Sequence, residues 1–188
     1  LRLDAWYNKY LSEVGADIDK QKKWIARSKL EEKSGTQFYF IITNREKSCG
    51  TVRVYDLKVD SFSWGSWILN SDKTRYAAIE SALLVYKFGF EDLGYNNCHF
   101  EVLNGNTRVV NFHKKFGAKI VGEDEECTYF ELSKDDFSRT SKQFEKFMKW
   151  SAVESKGVFF LLHTGYWKMI HPSAKVHLGS IVDSGVSI

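Results

Sequence analysis

The stretch CHFEVLNGNTRVVNFHKKFG, residues 98–117, decides the fold. From Cys98 to Leu103 the side chains alternate, placing His99, Glu101 and Leu103 on one face of a strand. Asn106 to Phe116 then reads as a helix closed by Gly117, a residue suited to the left-handed turn at a helix end. Upstream, Ala77 to Leu93 carries Ile79, Ala82, Leu83, Tyr86, Phe90 and Leu93 at spacings of three and four, one continuous apolar helical face stopped by Gly94. Strands are predicted over Phe38–Thr43, Gly50–Leu57 and Phe62–Leu69, the first two as an antiparallel pair, and two short ones over Lys119–Val121 and Thr128–Leu132. Three strands, a helix, a strand, a helix and two strands make an α+β, mixed α/β layer.

Further out, Leu3 to Leu30 predicts two short amphipathic helices, the second capped by Asp17 or Asp19. After Leu132, a helix capped by Asp135 or Ser138 is expected to carry Phe137, Phe144, Phe147, Met148 and Trp150, with an aromatic connector from Gly157 to Met169. Ile170, Val176, Val182 and Ile188 then recur every six residues, with Ala174, Ser180 and Val186 four places after the first three. That spacing resembles the hexapeptide repeat of a left-handed β-helix, whose branched residues stack inside a triangular prism. One coil cannot bury its own faces, and the chain begins without a methionine, so it reads as an excerpt of a longer protein. The expected division is a first domain over 1–137, a helix and connector over 138–169 and a first coil over 170–188. His171 and His177 read as turn residues or as functional groups of a trimer built through the full repeat.

With 43% apolar residues and 15% aromatics in 188, the chain is long and greasy enough for a real core. The net charge of +3 is scattered, without the basic stripe of a nucleic-acid binder. Cys49, Cys98 and Cys127 are odd in number and far apart, matching neither a disulfide framework nor a metal clip, so a cytoplasmic location and no metal are expected. No apolar run approaches the length needed to span a bilayer.

Four pieces in order carry a resemblance: Gly50-Thr51-Val52-Arg53, Trp64 to Leu69, Phe88 to Gly94, and Glu101 to Asn106 followed by Phe116-Gly117. Together they resemble the GNAT superfamily of N-acetyltransferases, in its branch of ribosomal-protein and nucleotide-sugar enzymes, over roughly 18–132. The resemblance implies a mostly antiparallel sheet with splayed middle strands and acetyl-CoA as co-substrate. Its pantetheine arm would lie along the backbone edge of Trp67, Ile68 and Leu69.

A helix start offers unsatisfied N–H groups and a positive dipole end, so Lys73, Thr74, Arg75, Tyr76, Ala77 and Ala78 form the candidate diphosphate loop. Tyr76 departs from the glycine usual in that family, and the bland alternative is a loop with two solvated cations. His113 matches the position of the family's tyrosine proton donor, or is a surface histidine. Glu101 is the candidate base, or a polar residue on a half-exposed strand. Ser63 stands where many relatives carry a carboxylate. Asn106 caps the helix after it or touches the pantetheine.

The resemblance to the GNAT enzymes, taken with the hexapeptide-like tail, implies an acetyl-CoA-dependent N-acetyltransferase acting on a small-molecule amine, an amino sugar carried on a nucleotide, in surface polysaccharide biosynthesis. A protein N-acetyltransferase and a non-catalytic binding module are the alternatives. Neither nucleic acid nor membrane is an expected partner.

Overall fold

The computed structural model describes residues 9–10, 17–44, 47–145, 150–153, 160–163 and 167–170, with side chains described up to residue 144. Helix α1 spans Ile18–Lys33 and is capped by Asp17, whose carboxylate accepts the amides of Asp19 and Lys20. Strands β1 (Phe38–Asn44), β2 (Lys47–Tyr55) and β3 (Ser61–Leu69) follow as an antiparallel meander. Helix α2 (Ala77–Lys87) continues into a π turn over Phe88–Asp92. Next come β4 (Asn97–Leu103), α3 (Thr107–Lys115), β5 (Lys119–Glu123), β6 (Cys127–Ser133) and α4 (Lys134–Glu145).

The strands assemble in the order β5-β6-β4-β3-β2-β1, and β9 (Trp167–Ile170) pairs with the outer edge of β1. Strands β7 (Trp150–Val153) and β8 (Phe160–His163) form a separate antiparallel pair. The mixed α/β reading therefore holds, and every strand expected between residues 38 and 132 is present. Gly94 and Gly117 adopt the left-handed φ values of 79° and 96° that stop their helices.

Alternation sorts the sheet into two faces. Phe40, Val52, Val54, Phe62, Trp64, Cys98, Phe100 and Val102 are all buried, on the face covered by α2, α3 and α4. Phe62 meets Phe90, Tyr86 meets Phe116 and Phe137, and Phe116 stacks on Phe144 at 4.5 Å. Truncating a ring buried as fully as that of Phe116 costs about 3–5 kcal/mol, so this layer dominates stability. Tyr39, Arg53, Tyr55, His99 and Glu101 point to the opposite face, where α1 sets Trp24 edge-on against Tyr39 at 5.7 Å.

Past β6 the structure differs from the sequence reading. The hydroxyl of Ser133, and not Asp135 or Ser138, accepts the Asp136 amide at the start of α4. Trp150 belongs to β7 and not to that helix, because its backbone pairs with His163. Helix α4 runs across residue 137, where a boundary was expected, and Phe137 is buried in the core under the sheet. Ile170 pairs with Ile41, while the hexad positions after it, with His171 and His177, lie outside the described residues.

Candidate active site

Strands β3 and β4 run parallel and share only two register positions, Ser61 with Asn97 and Phe62 with Cys98, before they diverge. From that vertex onward the β3 edge facing β4 has no ladder partner among the described residues. A second device shapes this edge. Thr51 pairs with Ile68 and Arg53 with Gly65, so Ser66 and Trp67 together oppose Val52 in a bulge, with Ser66 at a φ of 50°. The extra residue turns Trp67 onto the face of Trp64, and the two rings meet at 5.4 Å. Trp67 Nε1 donates to Ser81 Oγ at 3.1 Å, and its ring packs on Phe112, tying the edge to both α2 and α3.

The candidate diphosphate loop joins this edge to the start of α2. The Asn70 side chain accepts the Asp72 amide in a tight turn, and the Asn44 amide group donates to the Asp72 carbonyl. Lys73 and Arg75 are exposed, and neither reaches a carboxylate among the described residues. Thr74 Oγ1 contacts the buried carboxylate of Glu80 at 3.5 Å. Tyr76 occupies the cap position with a φ of −103°, its side chain making no cap hydrogen bond, and Ala77 and Ala78 follow as the first helical residues. A residue with negative φ still forms a helix start despite the lost glycine, and within it the Ala77 amide donates to the Thr74 carbonyl at 3.3 Å.

His113 sits under the vertex. Its ring lies 4.3 Å from that of Phe100 on β4 and 5.3 Å from that of Trp64 on β3, wedged between the diverging strands. It is 4% exposed, and burial pushes its pKa down to about 3, so it is neutral at ordinary pH. Its Nδ1 pairs with the hydroxyl of Tyr86 at 3.0 Å. Tyr86 is wholly buried, and desolvation raises its pKa well above the phenol's usual value. Nothing local in the sequence marks Tyr86, which reads there as one more apolar position of the α2 face. The indole of Trp64, in the same nest, meets the Tyr86 ring edge-on at 5.3 Å.

Glu101 lies across β4 from this nest, exposed, opposite Tyr129 in register. Beside it Tyr129 donates its hydroxyl to Asp124 at 2.6 Å. Nearer the vertex, on the face Glu101 shares, His99 Nε2 bonds Asp56 Oδ2 at 2.8 Å, which with Lys58 lowers the Asp56 pKa. Asp56 holds a left-handed φ of 48° just past β2, and only the folded sheet brings it to His99. Asn106 takes the cap position of α3 without a side-chain cap bond, and its carbonyl accepts the amides of Val109 and Val110.

A two-strand splay above a helix start is a seat for an extended thioester cofactor, and comparison with known proteins agrees. The Acetyltransferase (GNAT) domain family matches residues 2–119. The chain belongs to the GNAT acetyltransferases. It is an enzyme of that type, and these acetyltransferases use acetyl-CoA. The solved structure of apo FdhC, described as a nucleotide-linked sugar GNAT, is 43% identical over 78% of this chain and 82% of its own, with a TM-score of 0.69. The Campylobacter jejuni N-acetyltransferase PseH, solved with acetyl coenzyme A, shares the fold at 16% identity over 63% of this chain and 83% of its own, with a TM-score of 0.55. No curated protein sequence matches the chain. Among the described residues no helix is long and apolar enough to cross a membrane, and no cluster of His, Cys, Asp and Glu could hold a metal ion.

Proposed function

We propose that this GNAT enzyme acetylates the amine of a nucleotide-linked amino sugar, in the assembly of a surface polysaccharide. The likeness to FdhC over most of both chains supports the substrate class. The observation that carries the reading is the splay itself: two shared rungs, then an edge at Trp67, Ile68 and Leu69 that a pantetheine amide can join as a strand would. The diphosphate rests at the amino-terminal end of α2, beside Thr74 to Ala78, with Lys73 and Arg75 adding charge from the rim. The side chain of Asn106, not engaged in capping, is available to the pantetheine arm.

The amine lone pair attacks the thioester carbonyl, the C–S bond breaks, and the nitrogen loses one proton while the sulfur gains one. A histidine neutral down to about pH 3 has no imidazolium proton to give. His113 instead hydrogen-bonds the departing thiolate through a neutral Nε2–H that it does not give up, with Tyr86 donating to Nδ1, and the sulfur takes its proton from water as CoA leaves. Glu101, on the open face of β4, takes the amine's proton through water.

The test is a panel of acceptors at saturating acetyl-CoA, read as CoA release. Turnover is expected with nucleotide-linked amino sugars and not with peptide amines. A preference for peptide amines would overturn the substrate class, and no CoA release with any amine would overturn the catalytic reading.

A further inference from the structure

On the open face of the sheet, Arg53 stands directly beside Tyr39 on β1 and Gly65 on β3. Because Gly65 has no side chain, the ring of Tyr55 lies across it, its hydroxyl 3.2 Å from where a Cβ would stand. The Arg53 guanidinium stacks on that ring at 4.1 Å from its centre. Elsewhere Arg27 pairs with Glu31 and Arg139 with Asp136. Arg53 has no such carboxylate among the described residues, and its Nε is buried without a hydrogen-bond partner. A half-buried cation held flat on a tyrosine and left unpaired is preorganised for an anionic ligand with planar, paired oxygens.

Two further features narrow that ligand. Next to Arg53, Tyr39 and Trp24 make an edge-on aromatic pair, and Trp24 is 42% exposed although α1 buries other side chains. Aromatic surface beside an arginine suits a nucleobase joined to phosphate. Gly65 lies three residues along β3 from the vertex rung at Phe62, roughly 10 Å, a gap that one sugar ring and an arginine's reach can fill. The face also excludes the obvious competitor. The start of α2, where CoA phosphates would rest, belongs to a helix packed on the other side of the sheet.

We infer that Arg53, on its Tyr55 platform, binds the diphosphate of a nucleoside-diphosphate-linked acceptor, with Trp24 and Tyr39 receiving the base. This rests on the acceptor class proposed above and adds the residues that would select it. The acceptor's phosphate then lies along the Arg53 and Gly65 row while its amine reaches the vertex. The cation does not contribute to CoA binding.

The experiment titrates UDP, dTDP and inorganic pyrophosphate into the full chain by calorimetry, with acetyl-CoA at saturation to fill its own phosphate site. Both nucleotides are expected to bind. Arg53→Met should weaken nucleotide and pyrophosphate by about 10-fold or more, with Arg53→Lys in between. Trp24→Ala, an exposed position that leaves the core intact, should weaken the nucleotides and leave pyrophosphate unchanged. Circular dichroism confirms folding, and acetyl-CoA affinity should be the same in all variants. The subsite is overturned if neither nucleotide binds, or if both bind Arg53→Met and Trp24→Ala as they bind the parent. Release of CoA with a free amino sugar but no binding of UDP or dTDP would sink the subsite and leave the transferase standing.

Discussion

His113 shows how burial resets a residue's chemistry. Sequence position alone suggests an acid titrating near neutrality, whereas a ring enclosed by Trp64, Phe100 and Phe112 is neutral. Its folded pKa of about 3 lies below the unfolded value of 6.5, so protonation favours the unfolded chain. The associated stability is complete above pH 6.5 and is lost as pH falls from 6.5 toward 3, on the order of 1.4 kcal/mol per unit. Urea denaturation against pH should therefore show a shallower acid loss in His113→Phe than in the parent, and parallel curves would mean that the ring is hydrated. The same variant should lower turnover about 100-fold with acetyl-CoA binding intact, the scale of one lost hydrogen-bond donor at a reacting atom. Stopped-flow turnover with separate calorimetry measures both, and unchanged turnover removes His113 from the mechanism. The thiols read simply: all three cysteines are free, and burial raises the Cys49 pKa to about 11, which keeps it unreactive.

At the scale of elements, the loop before α2 and the bulge in β3 act together. The bulge at Ser66 sets Trp67 against Ser81 and Phe112, which fixes how far the β3 edge stands from the helix that carries the diphosphate loop. Lys73→Ala and Arg75→Ala, both at exposed positions, should weaken acetyl-CoA binding severalfold to 10-fold each while changing kcat at saturation little. Equal dissociation constants in parent and variants would mean that the phosphates rest elsewhere. The sequence showed these elements well where the pattern is local. It displayed the α2 face through Ile79, Leu83 and Tyr86, and the β4 alternation through His99 and Glu101. It missed the bulge, because Ser66 looks like any strand serine until Val52 is found opposite two residues. It also extended the last helix to Trp150, since aromatic spacing does not reveal that this backbone pairs with β8.

For the whole molecule, one aromatic layer under the sheet supports two functions at its vertex: Tyr86, Phe116 and Phe137 bury the core and also hold the His113 nest. Acetyl-CoA should thus bind the folded chain alone and stabilise it, by about 2.7 kcal/mol at 100 times its dissociation constant. For a chain of this size that is a rise in Tm of about 5–10 °C. Differential scanning fluorimetry checks it, and a flat response to acetyl-CoA across millimolar concentrations would contradict cofactor use.

The sequence by itself determined the order of strands and helices from Phe38 to Leu132, the helix stops at Gly94 and Gly117, and the acetyltransferase signature from Glu101 to Gly117, because each is written in neighbours a few residues apart. Only the tertiary structure decided the divergence of β3 and β4, the burial of His113 against Tyr86, and the stacking of Arg53 on Tyr55 over Gly65. Those depend on which strands lie side by side and how much water the packed rings exclude, quantities that no single segment of chain contains.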